Sequence, residues 1–183
     1  MRLVAVALLI AAAGIVAVQG QARNDPRLEA QLKQAFPGKF TFSVKETDPL
    51  PHYKVFAAGA RGAQTLAGFA FLTTDLQPLE RGYDGPIRVL VGMDLKGILT
   101  GLVVVAHNEP YGDFSVDPPS YAGQFQSKNI LDQFKVGSDI DAVSRATITV
   151  TSATRAVRNS SRRVARTFLV GDAYTGVVTP PGR

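Results

Sequence analysis

From Asn24 onward the hydrophobic period of the chain changes twice, and the changes mark its elements. Asn24-Asp25-Pro26 forms a turn that opens a helix. Leu28, Leu32 and Ala35-Phe36 then recur at helical spacing until Pro37-Gly38 stops it. From Lys39 the period falls to two: Phe40, Phe42 and Val44 alternate with polar residues, and Tyr53, Val55 and Ala57 do so again, which predicts strands. Residues 59–62 predict a tight turn into a third strand over 66–73. Longer apolar runs follow at 87–93 and 98–106, joined by Asp94-Leu95-Lys96-Gly97, and a glycine in last place favours a hairpin with a bulge. Residues 107–119 are rich in Pro, Gly, Asp and Asn and predict a loop. Tyr121, Phe125, Ile130-Leu131 and Phe134 put short helical turns into 120–134. A last helix is expected from about Thr151-Ser152. Its apolar side carries Ala153, Val157, Val164 and Phe168, with Arg155, Arg158, Arg162, Arg163 and Arg166 largely opposite. The order predicts an α+β fold: a small antiparallel, half-barrel-like sheet packed with an N-terminal and a C-terminal helix.

Ahead of this pattern the period vanishes. Arg2 precedes an apolar run from Leu3 to Val18, and small residues follow at Gly20 and Ala22 where a signal peptidase could cut. The run is short of the roughly 20 apolar residues that cross a bilayer, so residues 1–22 are expected to be a cleaved signal peptide, or else an N-terminal anchor. A buried helix fits less well, because the run has no polar face. Residues 23–183 are then one domain, outside the cytoplasm: periplasmic or on the outer face of the membrane.

Composition narrows the chemistry. The 183 residues are 45% hydrophobic and 19% charged, the balance of a folded chain. Cysteine is absent, which removes thiolate zinc, iron–sulfur and disulfide chemistry, and only His52 and His107 are histidines. No metal is expected. The formal charge of +5 describes encounter more than function. The five arginines between 155 and 166 suit a solvated helix face or an acidic partner domain. Nucleic acid is not expected, since that face lacks interleaved aromatics and the leader directs export.

The remaining chemistry lies in Asp141-Ala142-Val143-Ser144-Arg145-Ala146-Thr147-Ile148-Thr149. A threonine-rich turn entering a helix meets amides without intrahelical partners and a partial positive charge, a favourable place for phosphate. Taken alone, Ser144, Thr147, Thr149, Thr151 and Ser152 are equally compatible with β-structure and helix capping.

This segment resembles the flavinylation motif Asp-x-x-Ser/Thr-Gly-Ala-Thr of the FMN-binding domain found in the NosR, RnfG and NqrC proteins. Upstream, Gly68 to Leu76, Gly82-Tyr83-Asp84-Gly85-Pro86-Ile87, the hairpin from Val89 to Gly101 and Gln133 to Gly137 share the likeness. His107-Asn108-Glu109-Pro110 looks most like the NosR branch. The resemblance covers roughly residues 65–170. It implies FMN as cofactor, attached as a phosphoester to Thr147, with Ser144, Ala146 and Thr149 around it and Asp141 serving a flavin transferase. Asp141 suits an Asx turn as well. His107 and Glu109 either tune the flavin ring or simply end a strand. Arg145 stands where the motif most often has glycine. It would be strained if the position needs φ > 0, and it could pair with the flavin phosphate.

The resemblance implies an exported electron carrier, with no substrate of its own, working between separate redox proteins, membrane-bound or not. The alternative is an exported binding or sensory module of the same fold that holds FMN non-covalently or not at all; a basic nucleic-acid binder is a third class.

Overall fold

The computed structural model describes residues 24–59 and 63–169. The expected leader at 1–22 and the centre of the turn at 60–62 therefore lie outside the described residues. Helix α1 (Pro26–Ala35) begins where the Asp25 carboxylate accepts the amides of Arg27 at 2.8 Å and Leu28 at 3.4 Å. Proline at the first helical position has no amide to leave unsatisfied. The helix is followed by β1 (Phe40–Phe42), β2 (Tyr53–Ala58), β3 (Gln64–Leu72), β4 (Arg88–Asp94) and β5 (Leu99–Ala106). They form a five-stranded sheet in the order of the chain, with every neighbouring pair antiparallel. The β4–β5 turn closes as composition predicts. Gly97 takes φ +76°, and the Asp94 carboxylate accepts the amides of Lys96 at 2.8 Å and Ile98 at 2.9 Å. A register irregularity follows at Gly92/Met93.

Both faces of the sheet are covered, which is why β3 and β4 read as nearly continuous apolar runs. One face sends Val55, Ala70, Leu72 and Leu90 against Leu32, Ala35 and Phe36 of α1, and Thr100 Oγ1 ties α1 down by donating to the Ala35 carbonyl at 2.8 Å. The other face sends Phe69, Phe71, Val89, Val91 and Met93 into the larger core. There they meet Phe125, Phe134 and, from helix α4 (Thr147–Phe168), Val150, Ala153, Val157 and Val164. The α+β fold and its two flanking helices are as expected.

Three expectations need correction. The last helix begins at Thr147, about one turn before Thr151. Residues 107–119 are not all loop: α2 (Gly112–Ser115) lies inside them, and α3 (Pro119–Gly123) overlaps the expected helical turns. The arginine face of α4 is not merely solvated. Arg155 pairs with Glu80 at 3.2 Å, and Arg162 donates to the carbonyls of Ile130 and Asp132, each at 2.8 Å. Arg163 donates to the Gln77 carbonyl. Burial, with Arg158 and Arg166 nearby, holds the Arg162 pKa below its usual value. These side chains fasten α4 to the segments on either side of it.

Phe71 is fully buried in the larger core. Phe71→Ala should lower unfolding free energy by about 3–5 kcal/mol, read from a denaturant melt. A loss below about 1 kcal/mol would show that this sheet face is not the principal core.

Candidate functional site

The site is organised around Glu109, just beyond β5 and only 6% exposed. Its carboxylate accepts the amides of Tyr83 at 3.0 Å and Asp84 at 2.9 Å, and the Thr149 hydroxyl at 2.5 Å. A buried carboxylate is tolerable only when donors surround it. Residue 82 must be glycine for the loop to close, because a β-carbon there would collide with Glu109 Oε1. Burial opposes ionisation of Glu109, but the Thr149 hydroxyl, the Asp84 and Tyr83 amides and nearby His107 outweigh it. Its pKa therefore lies below the usual carboxylate value. The Glu109 amide is hydrogen-bonded to His107 Nδ1 at 3.1 Å, and His107 Nε2 lies 2.9 Å from Asp117 Oδ1. A β-carbon at Gly112 would collide with the His107 ring, so the backbone of α2 packs closely against the imidazole. Glu109 thus ties the loop to α4, and His107 ties the strand end to Asp117.

The approach to α4 is a tight turn. The Ala146 amide donates to the Val143 carbonyl at 3.1 Å, and Arg145, at the third position of the turn, has φ +67°. That position of a type II turn is the one glycine favours, and a left-handed conformation costs an ordinary L-residue roughly 1–2 kcal/mol. Ser127 and Phe134 also have positive φ, but Phe134 is locked in the core and the Ser127 amide is tied to the Leu99 carbonyl. Arg145 is exposed, and its side chain has no ion pair or hydrogen bond among the described residues.

The helix then starts without a cap. Ala146 occupies the capping position and contributes no side-chain bond. The first intrahelical bond is Val150 N–H to the Ala146 carbonyl, 2.9 Å. The amides of Thr147, Ile148 and Thr149 have no partner among the described residues. Neither Ser144 nor Thr147 caps the helix, and Thr149 is engaged with Glu109. The Asp141 amide donates to Gln124 Oε1 at 2.6 Å. Its exposed carboxylate makes no Asx turn.

Beside the helix start lies a cleft of about 500 Å³ lined by Tyr83, Pro110, Tyr111, Arg145, Thr147 and Ile148, among others. Tyr83 is 71% exposed and Ile148 57%, so neither serves the core. One part of the lining is cationic and rich in free amides; the rest is apolar and aromatic. Of the residues expected from sequence, Arg145, Ala146, Thr147 and Thr149 line this cleft, whereas Glu109 and His107 support it from behind. Ser144 and Asp141 lie on the approach. Sequence reading passes over Tyr83, Tyr111 and Ile148. Their signal is available in hindsight: large apolar residues that fit neither strand nor helix period.

Fold and site define an α+β domain with an anion-accepting helix start at one side of an amphiphilic cleft. Residues 82–161 match the FMN-binding domain family, a span that runs from the loop held by Glu109 into α4. The match identifies an FMN-binding domain within this chain, and its cofactor is FMN. It is also similar to a subunit of the ion-translocating oxidoreductase complex of Vibrio atlanticus (strain LGP32), at 34% identity over 45% of this chain and 44% of that relative. The chain thus matches less than half of the relative's length. That relative lends no support to the expected likeness of His107-Asn108-Glu109-Pro110 to the NosR branch. The cleft fits FMN: free amides and a guanidinium suit its phosphate, and the aromatic and apolar lining suits its flat ring.

The lowered Glu109 pKa has a definite sign in stability. The carboxylate stabilises the fold above its unfolded pKa, and that contribution is lost as pH falls through the lower folded value. The melting temperature of the wild type should therefore drop on acidification below about pH 4.3. Glu109→Gln should lose about 2–3 kcal/mol at pH 7 and show a flatter acid limb. An unchanged acid limb would exclude Glu109 as its source.

Proposed function

We propose that the chain is an electron-transfer flavoprotein working outside the cytoplasm, with FMN esterified through its phosphate to Thr147. The observation that carries this reading is the exposed Thr147 at the first position of an uncapped helix, whose first three amides have no partner among the described residues, in an FMN-binding domain. FMN supplies one- and two-electron redox chemistry. The chain's own part is to hold and orient it. Thr147 offers the hydroxyl for the ester, and the amides of Thr147, Ile148 and Thr149 offer donors to phosphate oxygens. Tyr83, Tyr111 and Ile148 offer an apolar bed, and Glu109 keeps the loop and helix that carry them in register. Asp141, exposed and unpaired among the described residues, is free to meet a flavin transferase.

The apolar run after Arg2 supports export. Among the described residues no helix is long and apolar enough to cross a membrane. The relative's name supports partners in a membrane redox complex, and separate redox proteins would then give and take the electrons. A second reading, a module that keeps the fold without an ester, is favoured by one observation: an arginine occupies the left-handed turn just ahead of Thr147.

Co-expression with a flavin transferase should yield a protein fluorescent after denaturing electrophoresis and heavier by one FMN less one water. Thr147→Ala should lose both signals. A colourless, unshifted wild type in a host that loads another protein of this family would sink the ester.

A further inference from the structure

Arg145 combines three properties that no other described residue shares. Its backbone is left-handed at φ +67°, its side chain is exposed without a protein partner among the described residues, and it lines the cleft beside Thr147. The two other non-glycine residues with positive φ are accounted for by core packing and by a backbone bond. Glycine would relieve the strain at Arg145 without disturbing any contact, so folding alone gives no reason for an arginine there. Strain kept at a site lining a cleft points to a task for the side chain. A guanidinium has a planar fork of donors matched to phosphate oxygens, and the adjoining amides at the start of α4 point the same preference at the same place.

We infer that Arg145 is a phosphate-binding residue that gives this domain a non-covalent grip on FMN, separate from the bond at Thr147. The inference rests on the FMN reading of the cleft and deepens it. The strained turn holds the cation beside the threonine hydroxyl, so the phosphate is gathered before any ester forms and stays bound where none does. Binding is then selective for the phosphorylated flavin, since riboflavin offers the same ring with nothing for the guanidinium to hold.

The test uses the full chain carrying Thr147→Val, which keeps the β-branched shape and cannot be esterified. FMN and riboflavin are titrated separately by quenching of flavin fluorescence. FMN should bind about 10- to 100-fold more tightly than riboflavin, and added salt should erode that preference. Adding Arg145→Gly should cut the preference to a few-fold while raising the melting temperature by about 2 °C; Arg145→Lys should keep part of it. A purely structural Arg145 would leave the FMN-to-riboflavin ratio unmoved. If the ratio is the same with glycine at 145, the phosphate role is overturned and the FMN reading stands. The same conclusion follows if neither flavin binds yet the chain with Thr147 intact is loaded by a transferase. If neither binding nor loading occurs, the FMN reading falls and the role of Arg145 with it.

Discussion

The buried Glu109 carboxylate is the constraint on which the site depends. Three segments far apart in sequence meet on its two oxygens: the loop at Tyr83-Asp84, the end of β5 that carries Glu109 itself, and the first turn of α4 at Thr149. A charge removed from water is costly unless its lone pairs are filled, and here they are filled by groups that must hold their places to do so. The cleft inherits its shape from that requirement. Tyr83 borders it because its amide is fixed, and Thr147 faces it because Thr149, two residues later, is fixed. His107 adds a second bracket, linking the Glu109 amide to Asp117.

This dependence explains what the sequence revealed and what it concealed. The strands were legible because period-two alternation reports which face is buried, and α1 because Asp25-Pro26 starts it and Pro37-Gly38 ends it. The start of α4 was not legible. Thr147-Ile148-Thr149-Val150-Thr151 is an unbroken β-branched run, which lowers helix propensity. Tertiary contacts override it: Thr149 is held by Glu109, and Val150 is buried in the larger core. A local rule lost to a long-range bond, at the one place where the helix begins the site. The arginines of α4 misled for a related reason. Their partners are largely backbone carbonyls at Gln77, Ile130 and Asp132, which leave no trace in side-chain identity. The motif residues from Asp141 to Thr147 were legible as a set, but which of them line the cleft depended on the turn at 143–146.

Arg145 shows how a departure can be read physically. Sequence alone said that an arginine would be strained if the position demanded φ > 0; the turn does demand it. Strain of this kind persists only where the surroundings enforce it. On one side the Val143–Ala146 bond fixes the turn, and on the other the core takes up Ala146 and Val150. The backbone is thereby held from both ends, and it carries an exposed arginine into the lining of the cleft.

The charge layout of α4 bears on the same place. The helix has no acidic residue in its first turn, no side-chain cap, and arginines toward its far end, including Arg166 in the last turn. A macrodipole places partial positive charge at the N-terminus and negative charge at the C-terminus. Arginines therefore complement the C-terminal half, where they also bind loop carbonyls; at the N-terminal end the Glu109 carboxylate takes the Thr149 hydroxyl, and the amides of Thr147, Ile148 and Thr149 keep no acceptor among the described residues. A phosphate brings oxygens that such amides can bind. The same helix that closes the core with Val150, Ala153 and Val157 thus presents an unmet preference for an anion at Thr147. Its 22 residues connect the stability of the domain to the placement of its cofactor.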